Sequence, residues 1–70
     1  MARSRFHVIP QSDRWRIAKV GDVVRGAYPT QDEAVQAARL LALITEPSQV
    51  LVHDRNGAVQ AEHYYGFDPL

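Results

Sequence analysis

One segment limits what this chain can fold into. Tyr28-Pro29-Thr30-Gln31-Asp32-Glu33-Ala34 runs into the alanine- and leucine-rich stretch from Ala37 to Ile44. Pro29 blocks backward extension of a helix. The Thr30 hydroxyl is placed to accept from the Glu33 amide while the Glu33 carboxylate reaches back to the Thr30 amide. Asp32 and Glu33 also favour the positive end of a helix dipole. Ala34, Ala37, Ala38, Leu41 and Ile44 recur at helical spacing, so the pattern predicts one amphipathic helix over residues 31–44. Its alanines permit close approach to a sheet. Leu40 and Leu43 widen the apolar stripe beyond what one thin sheet needs, which makes them candidates for a subunit contact. Pro47 stops the helix, with Thr45 and Glu46 as its last turn.

Strand patterns flank this helix. Residues 5–10 alternate, with Phe6 and Val8 on one face and His7 and Ile9 on the other. After the polar turn Gln11-Ser12-Asp13-Arg14, residues 15–20 put Trp15 and Ile17 on one face and Arg16, Ala18 and Val20 on the other, so the two runs suit an antiparallel hairpin. Gly21-Asp22 supplies a second turn. Residues 23–28 form a third strand, in which Gly26 marks a bulge or a close backbone approach. Beyond the helix, residues 49–54 are apolar enough at Val50-Leu51-Val52 for a central strand. Asp54-Arg55-Asn56-Gly57 is a hairpin turn in which Asn56 and Gly57 tolerate positive φ, and residues 58–64 return as a fifth strand. The tail from Tyr65 to Leu70 is expected to fold back as a lid. The expected fold is therefore α+β: an antiparallel β-sheet in β-β-β-α-β-β order with one α-helix packed on one face.

Seventy residues make a single domain, 1–70, with a thin core. Small domains often gain stability by disulfides, metals or association. With no cysteine, disulfides and thiolate metal sites are excluded, and dimerisation becomes a reasonable expectation. The basic start Met1-Ala2-Arg3-Ser4-Arg5 precedes no apolar signal core, and no apolar run is long enough for a bilayer. A cytoplasmic protein without membrane contact is expected. The formal net charge is zero, but residues 1–25 carry six basic against two acidic groups and the remainder two against six. Such asymmetry fits a basic face for an anionic partner, or two halves that attract one another.

Catalytic chemistry finds no support in the sequence. His7, His53 and His63 lack metal-ligand spacing. His53 and His63 are potential cross-strand neighbours at the last hairpin, where histidines are read as surface residues. Ser4, Ser12 and Ser48 lack the glycines of a nucleophile elbow, and the dispersed glycines form no phosphate loop. No catalytic residues, metal, cofactor or small-molecule substrate are expected. Arg14, Arg16, Lys19 and Arg25 are the nucleic-acid candidates, on or near a strand that could enter a groove. Trp15 points away from Arg14 and Arg16, as a core residue would. Tyr64, Tyr65 and Phe67 are candidates for an interaction surface or for a cover over the core.

A set of residues carries a family likeness: His7-Val8-Ile9-Pro10, Trp15-Arg16-Ile17, Thr30-Gln31-Asp32-Glu33-Ala34 with Ala37, Ala38, Arg39 and Leu41, then Val52-His53-Asp54-Arg55-Asn56-Gly57 and Tyr65-Gly66-Phe67-Asp68-Pro69. Over nearly the whole chain this resembles the bacterial domain of unknown function 2188. The resemblance implies a short, soluble, stand-alone bacterial or phage protein, and it brings no catalytic residues to carry over. Leu40 to Ile44 departs from the more polar helices of that family. The leading expectation is a non-enzymatic module that self-associates and binds a protein partner. The second is a nucleic-acid-binding accessory protein that uses the basic meander.

Overall fold

Apolar alternation and one capped helix generate six elements, seen in a computed structural model that describes residues 3–19 and 25–66. They are β1 (Ser4–Gln11), β2 (Arg14–Lys19), β3 (Arg25–Tyr28), α1 (Gln31–Leu43), β4 (Ser48–His53) and β5 (Val59–Tyr65). All five strands join one sheet in the order β3-β2-β1-β4-β5. β1–β2, β2–β3 and β4–β5 are antiparallel, whereas β1 and β4 run parallel, Phe6 opposite Val50 and Val8 opposite Val52.

The expected purely antiparallel sheet is thus corrected to a mixed one. The element order was right, but the partner of β4 could not be read from it. A helical crossover carries the chain back to the end from which β3 started, and the strand that follows runs parallel. That strand docks beside β1, so β1 is the middle strand and β4 lies one place from the edge.

Thr30 is the helix N-cap, in extended conformation, and its Oγ1 accepts from the Glu33 amide at 3.2 Å. The helix lies across β1, β4, β2 and β3. Its innermost residues are Ala34, Ala38 and Ala42, spaced by four and fully buried against Phe6, Val8, Trp15, Ile17, Val50 and Val52. Methyl side chains let the backbone settle close to the sheet. The helix ends at Ile44, the C-cap, whose amide bonds the Leu40 carbonyl. Ile44, expected within the buried stripe, is instead 83 % exposed, because the buried face is centred on Ala34, Ala38 and Ala42 and the helical turn carries Ile44 round to the outer side. Ser48 is fully buried, and its hydroxyl donates to the Ala42 carbonyl at 2.6 Å, tying β4 to the last turn.

Gly26 adopts φ +65°, and the β2–β3 register slips beside it. A Cβ there would lie 2.6 Å from the Tyr28 ring, so the glycine marks both the bulge and the close approach read from the sequence. In the last hairpin only Gly57 has positive φ; Asn56 does not, because the Asp54 carboxylate shapes the turn by accepting from the Asn56 and Ala58 amides. The Gly21-Asp22 turn and residues 67–70 of the expected lid, Phe67 among them, lie outside the described residues, and Tyr65, expected in that lid, is the last residue of β5.

Two substitutions separate the buried and outer helix faces. Ala38→Leu should cost about 1–3 kcal/mol by overpacking, while Leu43→Ala should stay within about 0.5 kcal/mol as a surface change. Urea unfolding midpoints measured side by side check this; equal losses would contradict the close helix approach.

Candidate functional site

The helix covers one side of the sheet, and strand alternation sends the other set of side chains to the bare side. There β1 displays Arg5, His7 and Ile9, β2 displays Arg14, Arg16 and Ala18, β4 displays Gln49, Leu51 and His53, and β5 displays Glu62 and Tyr64. The parallel β1–β4 register brings together two histidines 46 residues apart: His7 Nδ1 lies 2.9 Å from His53 Nε2. Their ring centroids are 5.2 Å apart with planes inclined at 32°.

The hydrogen-bond chain fixes the protons of the neutral pair. His53 Nδ1 lies 3.0 Å from the Gly57 carbonyl, which can only accept, so His53 Nδ1 carries a hydrogen. His53 Nε2 is then an acceptor, His7 Nδ1 donates to it, and His7 Nε2 keeps a lone pair. Three local features hold the arrangement. The Asp54 carboxylate and Gly57 φ of +89° set the carbonyl in place, and the Gln31 side chain, from the first helical turn, donates to the His53 carbonyl at 3.1 Å. Burial holds the His7 pKa below the ordinary histidine value, and the nearby His53 and Arg5 charges add to the effect.

Sequence reasoning considered His53 with His63 and missed His7. His63 sits opposite Val50 and therefore on the helix side of the sheet. The available signal was period-two alternation, which puts His7 on the outer face of β1, but only the β1–β4 register supplies its neighbour.

The basic candidates divide. Exposed Arg14 and half-buried Arg16 share the bare face. Lys19 is on the helix side, its Nζ 5.9 Å from the centroid of the Phe6 ring, and Arg25 opens β3 opposite Ile17. Arg16 Nε and Gln49 Oε1 are buried without a hydrogen-bond partner; the Gln49 amide nitrogen donates to Glu62 at 3.0 Å. The aromatic candidates divide too. Tyr64 is 56 % exposed on the bare side, whereas Tyr65 packs against the core and its hydroxyl accepts from Arg39 Nε at 3.1 Å.

A second feature lies on the helix. Leu40 is 67 % and Leu43 49 % exposed, next to exposed Ile44. Beside them runs an open groove of about 480 Å³ lined by Tyr28, Ala37, Leu40, Leu41 and Ile44. Among the described residues no helix is long and apolar enough to cross a membrane.

Among the described residues, one helix over a mixed five-stranded sheet defines a small α+β domain. The family model described as an uncharacterized protein conserved in bacteria, DUF2188, matches residues 6–65, and the chain belongs to that family. No curated protein and no solved structure matches it.

The neutral pair predicts a specific tautomer pattern. At pH above the ordinary histidine range, imidazole nitrogen NMR shifts should report Nδ1–H for both His7 and His53. An Nε2–H form at His53 would contradict the hydrogen-bond chain.

Proposed function

We propose that the protein is a non-enzymatic interaction module that associates with a second copy of itself through the outer face of α1. The observation that carries this reading is the cluster of exposed Leu40, Leu43 and Ile44 around an apolar groove on the last turns of the helix. A chain of this size gains from covering such a surface, because its own core is thin.

The patch suits a two-fold partner. Two copies of α1 packed antiparallel about a two-fold axis at the level of residue 42 would set Leu40 against Ile44 of the other copy. The exposed apolar residues then meet their own counterparts across the axis, which makes the surface self-complementary. One helix face is small beside the roughly 1,200–2,000 Å² of a stable interface, so the dimer is weak and concentration-dependent. A protein partner with an amphipathic helix would use the same groove.

Analytical ultracentrifugation across the micromolar range should show the mass rising with concentration. The double change Leu40→Glu, Leu43→Glu should return it to monomer while unfolding shifts by no more than about 0.5 kcal/mol, since both positions are exposed. A monomeric native chain, or an unchanged dimer in the variant, would refute the helix interface.

A second reading has an observation of its own. On the bare face, β1 and β2 contribute Arg5, Arg14 and Arg16 and no carboxylate, an arrangement suited to phosphate backbones. Of the four basic residues expected from the sequence it includes Arg14 and Arg16, and it adds Arg5. Labelled single-stranded RNA and DNA should bind in about 50 mM salt and be released as salt rises. Arg14→Gln with Arg16→Gln should flatten that salt dependence, and no binding in low salt would end this reading.

A further inference from the structure

We propose that His7 and His53 form a two-histidine site for a transition-metal dication of the Zn²⁺, Cu²⁺ or Ni²⁺ class on the bare face of the sheet. Imidazole nitrogen selects these ions over Mg²⁺ and Ca²⁺, which prefer oxygen. The two nearest ring nitrogens converge from adjacent strands with 2.9 Å between them. Two imidazole nitrogens held about 2.0–2.1 Å from a tetrahedral ion stand about 3.3 Å apart. For an ion to bind, the nitrogens part by about 0.4 Å and each ring also turns, so that both lone pairs point at an ion lying off the N···N line rather than in the place of the bridging hydrogen.

The outer partners already have the form that metal-binding histidines use. His53 donates its Nδ1–H to the Gly57 carbonyl, which orients the ring and leaves Nε2 as the ligand atom. His7 coordinates through Nδ1, giving up that hydrogen to solvent and taking one at Nε2. With both rings neutral the exchange releases no net proton. Among the described residues no third histidine or carboxylate completes a protein cage. The helix lies on the opposite side of the sheet, so the remaining coordination positions open to solvent. Such a site is an open one, able to take water or a donor atom from a bound molecule. Arg5, on the same face two residues before His7, opposes a cation, while the Asp54 carboxylate is held by turn amides. Moderate affinity follows.

The test uses the full chain without a histidine tag. Zinc chloride is titrated by calorimetry, and the histidine ring resonances are followed by NMR in parallel. Expected is one equivalent bound with micromolar affinity, with the rings of His7 and His53 shifting and that of His63 unmoved. His7→Gln and His53→Gln should each weaken binding by at least about tenfold, equivalent to about 1.4 kcal/mol, and His63→Gln should leave it unchanged. The ring shifts in the native chain identify the ligands even where a variant fails to fold. No binding up to millimolar zinc, or shifts centred on His63, would overturn the proposal. So would unchanged affinity in a folded His7→Gln chain.

Discussion

The parallel pairing of β1 with β4 is the constraint on which the remaining structure depends. It places β1 in the middle of the sheet, sets Phe6 and Val8 beside Val50 and Val52, and gives the helix a continuous apolar floor. It also sets which outward side chains become neighbours. Both faces follow from one register, because in a strand the side-chain period is two and a slip of one residue would exchange them.

That floor is thin, and the helix answers with alanine. Ala34, Ala38 and Ala42 contribute little apolar volume each, but they bring the helix backbone close to the sheet and leave the larger Leu40, Leu43 and Ile44 on or near the outside. The same choice that closes the core therefore produces the apolar outer face. Core packing and the exposed apolar patch are two results of one distribution of side-chain size along the helix and its C-cap.

The bare face of the sheet has a different character. Arg5, Arg14 and Arg16 stand on β1 and β2, two histidines share one hydrogen bond, and Gln49 and Arg16 each keep a buried polar atom without a partner. Buried polar groups are ordinarily satisfied. Both stand on the side away from the helix, on strands whose other faces supply the core.

Local interactions were legible in the sequence. The Thr30 cap, the Gly26 bulge, the inward placing of Trp15 and the order of the six elements each rest on contacts within a few residues, and such contacts leave a pattern in the chain. The direction of β4 relative to β1, the pairing of His7 with His53 in place of His63, the splitting of Arg14 and Arg16 from Lys19, and the exposure of Ile44 were decided by tertiary structure alone. Each depends on which strand meets which across dozens of residues, and periodicity within a strand says which side a residue faces but never who stands next to it.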